Sequence, residues 1–163
     1  MREVAVTCHE IAVEHIRIDS SKSFEDTKAA LERNVPNVNP EFVELARKGE
    51  TARLREVLEH GPELAIFLVR DHAALLQIAD QKRKAVQYEI GNPLTASQMT
   101  RHHLPAALYA PLRVVLYERD EGGSTFEYDK PSSFFGQFGD ERVTAVGRAL
   151  DKKLERVLRH AVA

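Results

Sequence analysis

Apolar and polar positions alternate along several short stretches of this chain, and a period of two predicts β-strands. Five segments are predicted as strands: residues 8–19, 64–69, 85–90, 112–118 and 125–129. The last two flank Asp120–Gly123, a short Gly-Gly loop that is typical of a β-hairpin. Residues 64–69 form a continuous apolar run, so for this segment alone a helix running to Ala79 stays open as an alternative.

Other stretches have the helical period of 3.6 residues. Apolar residues recur at i, i+3, i+4 and i+7 between Asp140, a good N-cap, and about His160, which predicts a long amphipathic helix. A second helix is predicted after Ser23, because Ser23 and Asp26 have the spacing of a capping box. Two amphipathic helices against one sheet indicate an α+β fold with two layers, formed as a single domain over residues 1–163.

Residues 36–62 lie between the predicted second helix and the strand at 64–69, and they are predicted to form an inserted helical hairpin. Asn39–Pro40 is a good helix start, and Gly49 and Gly61–Pro62 are good helix ends. One interpretation is that the hairpin covers a sheet edge or a neighbouring subunit. The other is that it forms a lid over a binding site.

Composition and charge restrict the possible partners. The chain has 163 residues, a net charge of −2 and one cysteine, Cys8. No broad basic field is present to hold nucleic acid or an anionic membrane. A single cysteine excludes an intrachain disulfide and a thiolate metal cluster. Because no apolar run approaches about 18 residues, we expect a soluble, cytoplasmic protein with neither nucleic acid nor a membrane as partner.

The bend Gly91–Asn92–Pro93 is the first candidate for a binding role. Gly permits a positive φ, and Asn before Pro is held extended, so the pattern predicts a tight strand-to-helix turn with Thr95 capping the helix. Backbone amides at the start of a helix bind anions. The alternative is that Gly91 and Asn92 are present only because the turn requires them.

Polar side chains on the predicted strands are the second candidate. Arg113 begins an apolar strand and needs a partner, which is either Asp129 or Glu127 on the next strand or an anionic ligand. The hydroxyls of four tyrosines either converge on a polar ligand or belong to packed side chains: Tyr88, Tyr109, Tyr117 and Tyr128.

A loop over residues 131–139 carries Phe134, Phe135 and Phe138. Three exposed phenylalanines would be costly in water, so this loop either closes an apolar cavity or packs within the chain or against a second subunit. Catalytic signatures are missing from the sequence. Ser132–Ser133 has no nucleophile elbow, no HExxH spacing occurs, and adjacent His102 and His103 point about 100° apart on a helix, so no metal site is predicted.

Three motifs together resemble the domain of unknown function 302 family: Glu89–Leu94, Tyr109–Arg113 and Tyr128–Ser133. The last helix, with Ala149–Leu154, is similar to that family too. The resemblance covers roughly residues 9–35 and 62–160. It implies a curved antiparallel sheet of about five strands with helices on one face, similar to the TATA-binding-protein-like arrangement, and often a dimer. Some members have cysteine where this chain has Gly91, so a thiol role there does not carry over, and no reaction or cofactor is implied.

Three functions follow as hypotheses. The first is a non-catalytic domain that binds a small anionic or aromatic ligand, with Gly91, Asn92, Arg113, Phe134 and Phe135 around one pocket. The candidate ligand-binding set also includes Tyr109, Tyr117 and Tyr128. The second is a homodimeric assembly module that uses the Phe loop and the inserted helices. The third is an enzyme that uses Tyr, His or Asp for acid–base chemistry in the same pocket.

Overall fold

A five-stranded antiparallel sheet organises the fold. A computed structural model of the protein describes residues 4–163. The strands are β1 (His15–Ser20), β2 (Ala65–Asp71), β3 (Ala85–Gly91), β4 (Leu112–Glu118) and β5 (Ser124–Asp129). Their spatial order is β1-β5-β4-β3-β2, and every neighbouring pair is antiparallel. The predicted α+β class and the predicted number of strands are confirmed.

Seven α-helices accompany the sheet in the described part of the chain: α1 (Phe24–Asn34), α2 (Pro40–Lys48), α3 (Thr51–Glu59), α4 (Ala73–Leu76), α5 (Pro93–Thr100), α6 (Pro131–Phe135) and α7 (Glu141–Val162). Short 3₁₀ turns occupy Gln77–Ala79, Leu104–Tyr109 and Gly136–Phe138. No helix in residues 4–163 combines the length and the apolar character needed to cross a bilayer.

Helices α1 and α7 cover one face of the sheet, and the other face is left open. The apolar stripe of α7 is buried at Leu150, Leu154 and Leu158, as the sequence period requires. On the sheet, alternate residues such as Leu116 and Phe126 are fully buried against this layer. The residues between them face the open side, which is mostly polar. The fold is therefore two layers thick, as predicted.

Two local predictions are corrected by the structure at this level. The strand predicted over residues 8–19 begins only at His15, and residues 4–14, called the N-terminal arm below, form neither strand nor helix. The segment 131–139, predicted as a loop, is the short helix α6 followed by a 3₁₀ turn. A proline at the first helical position and close packing on α7 stabilise this turn of helix, and local polarity does not reveal that packing.

The inserted hairpin is confirmed as the helices α2 and α3. Asn39 caps α2 by accepting a hydrogen bond from the Glu41 N–H (2.9 Å), and Gly49 ends it with a φ of 72°. The chain leading into α2 lies along the edge of β2, where the Ile66 N–H donates to the Pro36 carbonyl and the Val38 N–H donates to the Ile66 carbonyl. The segment therefore covers part of a sheet edge.

Candidate functional site

A cavity of about 310 Å³ lies where β3 ends and α5 begins. It is lined by the ends of β3 and by the start of β4, by α5, by Phe135 of α6 and Leu150 of α7, and by Phe42 of the hairpin. Fifteen residues line it: Phe42, Phe67, Gly91, Asn92, Pro93, Thr95, Ala96, Ser97, Met99, Thr100, Ala110, Pro111, Leu112, Phe135 and Leu150. None of them carries a charge, which restricts the ligands that the cavity fits.

Asn92 holds the turn at the mouth of this cavity. Its Oδ1 accepts a hydrogen bond from the Thr95 N–H (3.1 Å), and its Nδ2 donates to the Pro62 carbonyl (3.0 Å). Asn92, and not Thr95 as the sequence predicted, is therefore the N-cap of α5. The bond to Pro62 ties the start of α5 to the chain just after α3.

The backbone amides at the start of α5 are largely occupied. Pro93 has no N–H, the Thr95 N–H binds the Asn92 side chain, and the Ala96 N–H donates to the Asn92 carbonyl (2.9 Å). An anion at a helix N-terminus needs several free amides. With at most the Leu94 amide left in this turn, the geometry favours a neutral ligand over an anionic one.

Gly91 has a different reason to be glycine than the sequence suggested. Its φ is not positive, unlike those of Gly49, Gly122, Gly123 and Gly139. Instead, a β-carbon on Gly91 would lie 3.4 Å from the Pro111 Cβ and 3.9 Å from the Phe67 Cε2, at ordinary contact distance and in the wall of the cavity. The missing side chain contributes to the space that the cavity encloses.

Aromatic rings form the apolar boundary of the cavity. Phe42 and Phe67 meet edge to face with ring centroids 6.1 Å apart. Phe135 is fully buried and packs on Phe134, with centroids 4.7 Å apart. Tyr109 stacks on Phe134 at 4.9 Å. Phe134 and Tyr109 thus support the wall from behind, and Phe135 alone of the three faces the cavity.

The polar side chains in the lining are mostly engaged by their own helix. Ser97 Oγ donates to the Leu94 carbonyl (2.7 Å), and Thr100 Oγ1 donates to the Ala96 carbonyl (3.1 Å). Asn92 is used at both ends of its amide. Within residues 4–163, the Thr95 hydroxyl is the one side-chain polar group of the lining that has no protein hydrogen-bond partner. A ligand would therefore meet apolar walls and one available hydroxyl.

Arg113 lies outside this cavity, on the open face of the sheet. It is opposite Glu89 of β3, whose carboxylate instead accepts from Arg70 (2.6 Å). Neither Asp129 nor Glu127, its predicted partners, pairs with it in the described part of the chain. Because successive strand residues point to opposite faces, Arg113 and the buried Leu112 cannot serve the same pocket.

The tyrosine hydroxyls do not converge either. Tyr88 is fully buried and donates to Glu32 of α1 (3.0 Å). Tyr128 is buried beside α7, where desolvation and then the nearby carboxylates raise its pKa to about 12. Tyr117 is on the open face and donates to Glu127 (2.5 Å). Of the eight residues predicted to bind ligand, Gly91, Asn92 and Phe135 line the cavity, and Arg113, Tyr109, Tyr117, Tyr128 and Phe134 do not.

A charged cluster on the open face was not anticipated from the sequence. His15 Nδ1 lies 2.9 Å from Asp129 Oδ1, and its Nε2 lies 2.9 Å from Glu127 Oε2. Both ring nitrogens must be protonated to donate to both carboxylates, and the pKa of His15 is raised, first by Asp129 and then by Glu127. The pKa of Glu127 is lowered, chiefly by Tyr117 and then by His15. Only the pairing of the first and last strands brings these groups together.

The remaining histidines show no shared site. His103 packs on Phe138 with ring centroids 4.4 Å apart. Among the described residues, no group of three His, Cys, Asp or Glu side chains has the arrangement of a metal site.

The family model for "Domain of unknown function DUF302" matches residues 50–161. The match begins just before α3, so it includes the second helix of the segment that the sequence analysis treated as inserted. A crystal structure of an uncharacterized conserved DUF302 protein from Bacillus stearothermophilus has a similar fold, with a TM-score of 0.66 and 17% sequence identity, and the alignment covers 90% of this chain and 97% of that one. No protein with a curated description matches this chain.

Proposed function

Starting from the fact that this chain belongs to the DUF302 family, whose description assigns no activity, we propose that it binds a small, neutral, largely apolar molecule in the cavity beside α5. The observation that carries the proposal is the lining itself: aromatic and aliphatic walls, no charged side chain, and the Gly91 gap that leaves the space unfilled. Ligand pockets commonly combine apolar walls with a few placed polar groups.

The size and polarity of the cavity restrict the class of ligand further. A space of about 310 Å³ is at the small end of the range for ligand pockets, which suits a one- or two-ring molecule. The Phe42–Phe67 pair and Phe135 offer ring faces and edges, and aromatic contacts of this kind add to simple area burial. The Thr95 hydroxyl supplies one hydrogen bond to a ligand hydroxyl or carbonyl. The anionic ligand that the sequence left open is disfavoured, because an unpaired charge would be desolvated here.

The proposal is tested with a matched pair of probes, 2-naphthol and 2-naphthoate. A ligand that binds the native state raises the apparent unfolding temperature. We expect neutral 2-naphthol to raise it in a saturable manner and anionic 2-naphthoate to have little effect. Equal effects of both probes, or none from either at their solubility limits, would contradict the proposal.

Three variants localise the binding. Gly91→Ala adds a methyl group to the cavity wall without a forbidden φ, and we expect about tenfold weaker 2-naphthol binding by calorimetry, since one methylene changes affinity in an apolar pocket by about this factor. Gly136→Ala is the matched control, because its new β-carbon meets only Thr144 at 3.8 Å, away from the cavity. Arg113→Ala is a second control. Loss of binding in either control would place the ligand elsewhere.

A further inference from the structure

The N-terminal arm, residues 4–14, leaves several large apolar side chains partly or almost fully exposed. Val4 and Val6 are 86% and 88% exposed, and Ile11 and Val13 are 42% and 39% exposed. The arm contains neither glycine nor proline and is rich in β-branched residues, a composition that favours strands. Its sequence predicts a strand from residue 8, yet the strand begins only at His15. The arm is therefore a strand-forming segment without a partner strand.

The base of the arm is held in place at the edge of the sheet. The Lys130 N–H donates to the Glu14 carbonyl (2.8 Å), the Glu14 N–H donates to Ser133 Oγ (3.1 Å), and Lys130 Nζ pairs with the Glu14 carboxylate (2.6 Å). Residues 4–13, which precede this point, have no regular secondary structure and are exposed. The arm thus joins the body of the protein at a defined position at one edge.

The opposite edge of the sheet is open over most of its length. Strand β2 is the edge strand on this side, and among residues 4–163 only Ile66 has backbone partners on its outer side, at Pro36 and Val38. From Phe67 to Asp71 no strand or bridge covers it in the described part of the chain. A charged side chain can block strand addition at an open edge, but the Arg70 guanidinium donates hydrogen bonds across the sheet to Gln87 and Glu89 on β3. Open edges of this kind accept an added strand.

Apolar exposure also concentrates at this second edge. Leu68 and Val69 on β2 are 41% and 39% exposed, and Leu75 and Ile78 in the helical turns just after it are 58% and 84% exposed. Of the eleven large hydrophobic residues that are exposed within residues 4–163, eight thus lie in the arm or in this edge region. The arm has strand-forming composition but no strand to pair with, and β2 has an open edge to which a strand could be added.

Charge is compatible with pairing of the two surfaces. Between Val4 and Val13 the one charged residue is Glu10, which is acidic. The turn that leads from the β2 region into β3 carries Lys82, Arg83 and Lys84, of which Arg83 already pairs with Asp120 (2.7 Å) and Lys84 with Glu25 (2.8 Å). The arm's own β2 lies four strand spacings away across the sheet, about 19 Å. A second copy of the chain offers the same open edge without requiring the arm to fold back over its own sheet.

We propose that the N-terminal arm of one copy adds as a sixth strand to the β2 edge of a second copy. Strand addition uses main-chain hydrogen bonds for affinity and alternate side chains for register. Reciprocal exchange of two arms closes a symmetric dimer, whereas one-way addition would continue into an open filament. The inferred contact is separate from Phe134 and Phe135, which are buried within the chain.

Cys8 provides a direct test, because it is the only cysteine and lies in the arm. The wild-type chain is mixed with a size-tagged chain that carries Cys8→Ser together with Leu68→Cys or Val69→Cys, and the mixture is oxidised at low concentration. We expect a disulfide-linked heterodimer from the β2 variants. The matched control is Cys8→Ser with Arg55→Cys, an exposed position on α3, which should link at only a background level.

A second measurement keeps the outcome clear if a cysteine variant folds poorly. Full-length protein is expected to be dimeric by light scattering at micromolar concentrations, and removal of residues 2–12 is expected to give a folded monomer with unchanged circular dichroism. Several results would overturn the proposal: a monomeric full-length chain, a dimer that survives the deletion, cross-links only between two Cys8 residues, or an intramolecular disulfide in a single chain that carries both Cys8 and Val69→Cys.

Discussion

The imidazole of His15 faces a carboxylate at each ring nitrogen, and this arrangement has a definite pH dependence. Its folded-state pKa is raised by Asp129 and Glu127. A raised pKa means that the stabilisation is fully present below the unfolded value of about 6.5 and is lost as the pH rises through the folded value. Because His15 is more than half exposed, the effect is screened by solvent and modest in size.

We therefore expect the stability difference between wild type and His15→Gln to be largest near pH 6 and to shrink towards pH 9. Urea unfolding of both proteins across this range measures it. Gln98→Ala, an exposed substitution on α5 that removes no titratable group, serves as the control and should show a small difference that does not change with pH. A difference that stayed constant or grew with pH would mean that His15 does not bridge the two carboxylates as an imidazolium.

Single residues also show what the sequence could and could not establish. The turn Gly91–Asn92–Pro93 was recognised from residue types alone, because Gly and Asn-Pro have strong local preferences. The surroundings of Arg113 could not be predicted in this way. They depend on which face of the sheet Arg113 occupies, and on its neighbour Glu89, which already accepts a hydrogen bond from Arg70. Local preference is readable, whereas the partner of a long polar side chain is set by tertiary structure.

At the scale of elements, Asn92 joins α5 to the end of the inserted hairpin. Asn92→Asp keeps an oxygen that accepts from the Thr95 N–H but loses the amide donor to Pro62, whereas Asn92→Ala loses both. Loss of an N-cap costs about 1 kcal/mol. We expect the free energy of unfolding to fall by roughly 1–2 kcal/mol for Asn92→Ala and by less for Asn92→Asp. Equal losses in denaturant titrations would show that the cap contributes nothing.

The contact between α6 and α7 yields another prediction. A β-carbon at Gly147 would lie 3.0 Å from the Ser132 Cα and 3.2 Å from the Phe135 Cβ. Ala is the better helix former by about 1 kcal/mol, but overpacking against a backbone atom costs about 1–3 kcal/mol, so the steric term is expected to win. Gly147→Ala should therefore lower the melting temperature and also weaken 2-naphthol binding, because Phe135 is displaced from the cavity wall.

Gly136→Ala is the matched control for this substitution as well. It is free of such a clash and should leave stability unchanged or slightly raised. If Gly147→Ala were as stable as Gly136→Ala, α6 must shift at little cost in free energy to make room for the added methyl group. The cavity wall formed by Phe135 would then not be rigid.

Elements were predictable where periodicity spans many residues. The final helix and the hairpin of β4 and β5 follow from the alternation and capping residues of their own segments. Helix α6 was missed because five residues give too short a pattern and its stability comes from packing on α7. The start of β1 was misplaced because residues 8–14 have strand composition but no partner strand within residues 4–163, and pairing is not encoded locally.

At the scale of the whole molecule, the cavity arises from parts that are distant in sequence. Phe42 comes from the inserted hairpin, Phe67 from the irregular position in β2, Phe135 from α6 and Leu150 from α7. The sequence indicated a pocket near the Asn-Pro bend, and that bend does line the cavity. Apolar walls were anticipated from the Phe loop, but the absence of a charged group was not, since it depends on Arg113 facing the other side of the sheet and on the helix amides being occupied by Asn92.

Methyl NMR of methionine reports directly on whether the cavity beside α5 binds a neutral aromatic ligand. The chain has two methionines, Met1 and Met99, and Met99 is buried in the cavity wall. Protein labelled with ¹³C at the methionine methyl groups is titrated with 2-naphthol. If 2-naphthol binds in the cavity, we expect a saturable shift of the Met99 signal and intermolecular nuclear Overhauser effects between its methyl group and the naphthol ring. Both effects should be weaker in Gly91→Ala. Saturable binding with an unperturbed Met99 signal would contradict binding in this cavity.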